Sequence, residues 1–184
     1  MGAEAFRKND ASILVDAELT GLLLGATLAT TPGDVYRALL EATVFGTRVI
    51  IEAFEGAGVA VDRIVAGGGL PYQNRLLMQL TADITGREVR IAGTNQAGAL
   101  GSAMFGAVAA GAAAGGYDTI TDAAAHMAHL GPDVYRPATG DRAAWDEAYG
   151  LYRELHDAMA RQDSVMRRLR ALQTRTRSEV PGAR

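Results

Sequence analysis

Three consecutive glycines at positions 67–69 constrain the fold of this 184-residue chain more than any other feature. They follow an apolar, strand-like run at about 61–66 and precede a helical pattern at about 73–86. Because glycine lacks a Cβ atom, the backbone turns sharply there and a ligand can approach closely. Such a turn also directs the unpaired N–H groups of the following helix toward a ligand. The pattern fits a nucleotide site, but for the triplet taken alone a purely structural tight turn is the favoured interpretation.

A second strand is predicted at 88–92, and a strand–helix–strand order of this kind implies parallel strands. Small residues at Gly98–Gly101 then predict a second turn that leads into a helix. Ligands of parallel sheets gather at the carboxyl ends of the strands, where both turns are expected. A purine would lie between them, with Asn74 offering its amide to the base or ribose. The alternative is that these glycines only permit close helix–sheet packing.

The rest of the chain predicts mainly helices. Four segments are expected: short strands or loops at 11–29, a helix from Thr31 to about Gly56, a short helix at 119–129 and a long terminal helix at 141–172. Thr31 is placed to cap the first of these helices, and Pro32 suits its first position. From Arg161 onward the chain is rich in arginine. We interpret this as a solvated helix end that fades into disorder, with a nucleic-acid-binding tail as the alternative.

Composition excludes several classes of function. Hydrophobic residues make up 48% and charged residues 21% of the chain, as in ordinary globular domains. The net charge of −3 argues against nucleic acid as the main partner. Cysteine is absent, which is compatible with a cytoplasmic location, and no secretory signal is recognised at the start. Residues 97–116 carry no charge, but they are mostly alanine and glycine, so no membrane span is predicted.

Neither a metal site nor a catalytic residue is predicted. His126 and His129 are three apart, but no carboxylate is placed to complete a metal site, so we interpret them as surface histidines. His156 is interpreted as a surface polar residue. The pair Glu52 and Glu55 is interpreted as solvated helix charge. No serine lies in a setting typical of a nucleophile.

Several motifs, in order along residues 10–170, resemble the C-terminal half of the FGGY carbohydrate kinases, and within them the L-ribulokinase branch. The stretches that carry the resemblance are residues 13–21, 41–48, 67–79, 99–103, 135–137 and 151–157. The most specific of them reads GGGLPYQN at 67–74. Two positions depart from the family: Gly67 stands where cysteine or aspartate is more frequent, and Gly98 where proline or threonine is.

The resemblance implies an α/β fold, part of an actin-like (ribonuclease H-like) ATPase of two lobes that hold ATP and a sugar between them. It implies that Gly68, Gly69 and Asn74 contact the adenosine of ATP, and that Gly101 lies in a helix that packs behind the nucleotide. The complete enzyme would use ATP and Mg²⁺ to phosphorylate a primary hydroxyl of a ketopentose. The rival hypothesis is a non-catalytic remnant or interaction domain, which the departures at Gly67 and Gly98 favour.

Family members are about two to three times this length, so the resemblance implies that the catalytic residues and the sugar site lie in an N-terminal lobe outside this chain, and that only the complete enzyme uses Mg²⁺. The chain alone is then predicted to be inactive, and to associate with itself or with a companion N-terminal half. The expected organisation is a disordered start at 1–10, an incomplete FGGY C-terminal lobe at 11–137, a terminal helix at 138–172 and a basic, disordered tail at 173–184.

Overall fold

A computed structural model describes residues 4–6, 21–160 and 164–179 of the chain. The predictions for residues 11–20 and for the end of the tail therefore lie outside the described residues. Within the start at 1–10, which was expected to be disordered, the described residues 4–6 form a strand. The described part forms two compact units. One contains the described residues of 1–60 and 140–184, and the other contains residues 61–139.

The first unit consists of a small antiparallel strand pair and three helices. Its elements are β1 (Glu4–Phe6), β2 (Leu22–Leu24), α1 (Pro32–Gly56), α6 (Arg142–Ala160) and α7 (Val165–Glu179). Its core contains an aromatic cluster in which the ring of Phe45 lies 5.9 Å from that of Tyr149 and 5.3 Å from that of Tyr152. Residues from α1 and α6 thus bury one shared apolar interior.

Helix α1 begins where the sequence predicted. The Thr31 hydroxyl accepts a hydrogen bond from the Asp34 N–H, and the Asp34 carboxylate accepts one from the Thr31 N–H. This reciprocal capping box satisfies two N–H groups at the helix start. The hydrogen bond from the Thr31 backbone also lowers the pKa of Asp34 below its ordinary value. Buried residues occupy more than one face of α1, as its wide apolar pattern predicted.

The terminal helix differs from the prediction. Instead of one helix over 141–172, the structure has α6 ending at Ala160 and α7 beginning at Val165. Helix α7 continues to Glu179, so residues 173–179 are helical where a disordered tail was expected. Gln173, Arg175, Arg177 and Glu179 are good helix formers and favour the extension.

The second unit is a three-stranded sheet with helices. Its elements are β3 (Ile64–Ala66), α2 (Leu70–Gln73), α3 (Arg75–Thr85), β4 (Val89–Ala92), α4 (Ala97–Ala110), α5 (Ile120–Met127) and β5 (Leu130–Tyr135). Strand β4 is central, β3 pairs with it in parallel and β5 in antiparallel orientation. The predicted parallel strand–helix–strand unit is therefore confirmed. Ile84 and Val89 are fully buried in this unit.

Strand β5 was not predicted. It contains Gly131 and Pro132, which normally argue against a strand. Proline is tolerated on edge strands because its missing N–H costs no ladder hydrogen bond on the open side. Strand β5 is such an edge strand, and it enters the sheet beside the end of β4, where Leu130 pairs with Ala92.

Within the described residues, no helix combines the length and the apolarity that crossing a membrane requires. The uncharged segment at 97–116 forms α4, a short 3-10 turn at Ala112–Ala114 and the loop after it.

Candidate nucleotide site

The candidate site lies at the carboxyl end of β3, where the three glycines differ in what they do. A Cβ atom added to Gly67 would lie 3.1 Å from the Cβ of Ala97, the first residue of α4. The backbone at Gly67 thus passes close to α4, and a side chain would push the two apart. The packing interpretation of the glycines holds for this residue.

Gly68 is required for a different reason. Its φ angle is +90°, in the left-handed region, where residues with a Cβ atom are strained. A Cβ atom at this position would meet nothing within 4 Å. Gly68 is therefore a conformational requirement of the turn, and the space beside it is open.

Gly69 has neither of these requirements. Its φ of −75° and ψ of −33° suit any residue, and an added Cβ would meet only the Gln73 side chain, at an ordinary 3.9 Å. Gly69 precedes α2 as its N-cap, a position that favours glycine only mildly. Among the described residues the fold thus gives little reason for glycine here.

Asn74 separates two helices where the sequence predicted one at 73–86. It ends α2 and begins α3, and its Oδ1 atom accepts a hydrogen bond of 2.9 Å from the Leu77 N–H. The glycine turn leads into a single helical turn, and the N-terminus of α3 is capped by the chain itself. Helix α2, which follows the turn directly, has no side-chain cap, so the expectation that the turn directs helix N–H groups at a ligand stays a prediction. Gly69 directly precedes α2 and Asn74 directly follows it, so the two residues are at opposite ends of this short helix.

Tyr72 is a residue of this site that sequence reasoning missed. It lies on α2, and its hydroxyl donates a hydrogen bond to the carbonyl oxygen of Ala92, the last residue of β4. The side chain thus connects the segment after β3 with the end of β4. An aromatic residue inside a glycine-rich turn was the available signal, because a tyrosine hydroxyl normally finds a partner.

The second connection, from β4 to α4, also differs from the prediction. Gly98 and Gly101 lie inside helix α4 and not in a turn. A Cβ atom added to either of them would meet nothing within 4 Å, so the expectation that Gly101 supports close packing finds no contact among the described residues. The tight position is Gly93, where an added Cβ would lie 2.2 Å from His129 Cδ2 and 2.8 Å from the His129 carbonyl oxygen.

The histidines of the second unit have structural surroundings. His126 Nδ1 lies 2.8 Å from the Asp122 carbonyl oxygen, and its ring stacks on Tyr117 with the ring centres 5.2 Å apart. His129 packs against Gly93. Across the part of the chain that the structure describes, no three histidine, cysteine or acidic side chains gather in a way that could hold a metal ion.

A polar cluster in the first unit was also missed. The Arg48 guanidinium lies 4.1 Å from the ring centre of Tyr149 and binds the Asp146 carboxylate at 2.7 Å. Glu52, predicted to be solvated, accepts a 2.5 Å hydrogen bond from the Tyr149 hydroxyl. Burial and this hydrogen bond raise the pKa of Tyr149 to about 12, and the hydrogen bond from Arg48 lowers the pKa of Asp146. The cluster joins α1 to α6, which explains it without a ligand.

His156 needs the same correction. It was interpreted as a surface residue, but it is buried, and its Nδ1 lies 2.9 Å from an Asp157 carboxylate oxygen. Its ring centre is 6.1 Å from that of Tyr152. His156 lies on the inward face of α6 and is part of the aromatic core of the first unit.

Comparison with protein families identifies the chain over more than half of its length. Residues 5–110 match the C-terminal domain model of the FGGY family of carbohydrate kinases. This range contains the glycine turn, Asn74 and all but the last strand of the sheet in the second unit.

Curated relatives agree. The chain is 51% identical over 164 residues to a ribulokinase of Halalkalibacterium halodurans, a match that covers 89% of this chain and 29% of the relative. It is 49% identical over 161 residues to a ribulokinase of Bacillus licheniformis, covering 88% of this chain and 29% of that protein. The chain therefore spans just under a third of the length of these relatives.

The solved structures confirm the fold. A ligand-bound xylulose kinase from Lactobacillus acidophilus superposes with a TM-score of 0.70, at 22% identity, over 87% of this chain and 32% of that one. The α/β architecture is thus that of the actin-like FGGY sugar kinases. Together with the family model and the ribulokinase-like sequence, this shows that the chain belongs to the FGGY family of carbohydrate kinases and matches its C-terminal domain.

Proposed function

We propose that this chain is the adenosine-binding part of an ATP-dependent, ribulokinase-like sugar kinase. In this proposal the complete enzyme transfers the γ-phosphoryl group of ATP to a primary hydroxyl of a ketopentose. The curated relatives are ribulokinases, and this chain matches a C-terminal family domain within them. Gly68, Gly69 and Asn74 are the proposed nucleotide contacts.

The observation that carries the proposal is Gly69. The neighbouring glycines have structural reasons to be glycine, one through packing and one through its φ angle. Gly69 has an ordinary backbone conformation and room for a Cβ atom. A larger residue would fit at this position without strain. The glycine there is therefore consistent with a nucleoside that approaches the backbone to contact distance.

Asn74 fits a role beside its capping function. Its carboxamide has both an acceptor oxygen and an NH₂ group that donates. In this proposal the Asn74 carboxamide contacts the base or ribose while its oxygen caps α3. This residue therefore has a structural role and a proposed binding role that different substitutions can separate.

Phosphoryl transfer requires a base for the sugar hydroxyl, Mg²⁺ and donors around the transferred group. We propose that these catalytic groups lie in the part of a ribulokinase-length protein that is outside the 184 residues of this chain. The 184 residues alone are then expected to bind ATP or ADP without turning over a sugar. Association with that first lobe or with a second copy, and a cytoplasmic location, are further parts of the proposal.

Isothermal titration calorimetry of the 184-residue chain with ADP tests the proposal. We expect a Kd of about 1 mM or tighter, equivalent to about 4 kcal/mol of binding free energy. Gly69→Ala should weaken ADP binding about tenfold or more, or about 1.4 kcal/mol, because the new methyl group occupies the approach to the backbone. The melting temperature should not fall, because the position accommodates a Cβ atom.

Two control variants separate binding from stability. Asn74→Asp keeps an oxygen for the helix cap but removes the NH₂ group, so it should weaken ADP binding while α3 remains capped. Gly106→Ala also adds a methyl group at a glycine with open space, in the middle of α4, and should leave ADP binding unchanged. No heat with the wild-type chain at high concentration would contradict the proposal and favour the non-catalytic remnant.

A further inference from the structure

The side chain of Tyr72 crosses from one connection to the other in the second unit. Its residue lies in the segment after β3, and its hydroxyl donates to the carbonyl oxygen of Ala92 at the end of β4, a partner twenty residues further along the chain. Strand β4 pairs with both β3 and β5 through its backbone, so this side-chain hydrogen bond is additional to the sheet. The bond fixes the far end of the phenol ring at the carboxyl edge of the sheet.

This fixed end lies beside the glycine turn. A Cβ atom on Gly67 would lie 3.9 Å from the Cβ of Ala92, the residue whose carbonyl holds the Tyr72 hydroxyl. The glycine turn and the hydroxyl end of the phenol ring therefore both lie next to Ala92. Tyr72 belongs to the same edge as the proposed nucleotide site.

Despite this anchor, Tyr72 is 46% exposed. A surface aromatic side chain that is held at its polar end has lost rotational freedom before any ligand arrives. It therefore offers a flat apolar surface at little further entropic cost, which is the advantage of a preorganised binding residue. A tyrosine whose only task were to hold the turn would gain more by burying its ring.

We propose that Tyr72 is the surface on which the base of the nucleotide stacks, oriented by its hydrogen bond to the Ala92 carbonyl. The inference rests on the proposed function and adds the specificity of the site: a purine, whose two fused rings cover more of the phenol than a pyrimidine does. Stacking of a base on an aromatic side chain contributes about 1–3 kcal/mol.

The alternative is that Tyr72 only ties the two connections together. A tie of that kind would act on every nucleotide equally, because it would change the turn and not the contact with the base. A stacking surface acts on the base, so its loss should reduce the preference for a purine over a pyrimidine. The ratio of two affinities therefore separates the roles.

The test is calorimetric titration of the full chain with ADP and with CDP, for the wild type, Tyr72→Leu and Tyr72→Phe. Wild type should bind ADP more tightly than CDP. Tyr72→Leu should weaken ADP binding about fivefold or more and bring the two affinities close to each other. Tyr72→Phe keeps the ring and removes the anchor, so it should weaken both nucleotides by a smaller factor while it keeps most of the ADP preference.

Each outcome decides between the hypotheses. Equal losses for ADP and CDP in Tyr72→Leu would overturn stacking and leave only the tie. Unchanged ADP binding in that variant would overturn the inference and leave the proposed nucleotide site intact. A wild-type chain that binds neither nucleotide would overturn both. Tyr72→Met also removes the ring but keeps a long, flexible apolar side chain, so it repeats the ratio test if the leucine variant is unstable.

Discussion

The two strand-to-helix connections of the second unit leave neighbouring strands at the same edge of one sheet, yet they use glycine differently. In the connection after β3, Gly67 faces Ala97 closely, Gly68 has a left-handed φ, and only Gly69 is free of both constraints. In the connection after β4, the tight glycine is Gly93, next to His129, and the glycines inside α4 have open space around them.

The difference shows that a run of small residues does not by itself mark a site. In α4 the glycines look as suggestive as the triplet, but they lie in an ordinary helix with space around them. What distinguishes the first connection is the combination of a fixed turn, an unrequired glycine and an anchored aromatic residue. Substitutions of single glycines in the two connections test how far the connections differ in stability.

The largest effect is expected for Gly93→Ala. A methyl group there would overlap both the side chain and the backbone oxygen of His129, so the second connection must shift. We expect a loss of about 3 kcal/mol in the free energy of unfolding, measured by urea denaturation. Adding His129→Ala removes only the side-chain overlap and should restore part of the loss. A Gly93→Ala variant as stable as wild type would show that this connection is not tightly packed.

An intermediate effect is expected for Gly68→Ala. With φ at +90°, a residue with a Cβ atom is strained, so Gly68→Ala should lower the free energy of unfolding by about 1–2 kcal/mol. Gly68→Asn should lose less, because asparagine tolerates left-handed conformations better than alanine does. If alanine and asparagine were equally destabilising, conformational strain would not be the reason for glycine at this position.

The smallest effect, with the opposite sign, is expected for Gly101→Ala. The residue is inside α4 and has open space around it, so alanine should stabilise the chain by about 0.5–1 kcal/mol through lower backbone entropy in the unfolded state. Thermal unfolding at a fixed protein concentration measures the change. A destabilisation of similar size would reveal a packing partner for Gly101 and return the second connection to the role that the sequence suggested.

Much of the local structure could be predicted from the sequence because local physics determines it. The cap at Thr31 and the end of the helix near Gly86 both rest on residues close to each other in the chain. The parallel pairing of β3 and β4 followed from the length and pattern of the helical segment between them. The family resemblance, carried by motifs in one order, was confirmed by the comparisons.

Other features escaped prediction because they depend on distant residues. Strand β5 contains a proline and forms only because the edge of β4 is available to it. Glu52 was taken for a solvated charge because its partner, Tyr149, is on another helix. Asn74 was expected as a nucleotide contact, and its capping role required knowing that the helix restarts at Arg75. That it also contacts a nucleotide stays a prediction.

The sequence by itself determined that the chain has an α/β fold, that a strand turns sharply at Gly67–Gly69, and that its motifs are those of a sugar-kinase family. Periodicity, caps and backbone-permissive residues act over a few positions and can be read along the chain. Only the tertiary structure decided which glycine of the triplet has neither a packing nor a φ reason to be glycine, and that the Tyr72 hydroxyl reaches the end of β4. Both depend on how close separate segments come in space, and chain order alone does not specify that distance.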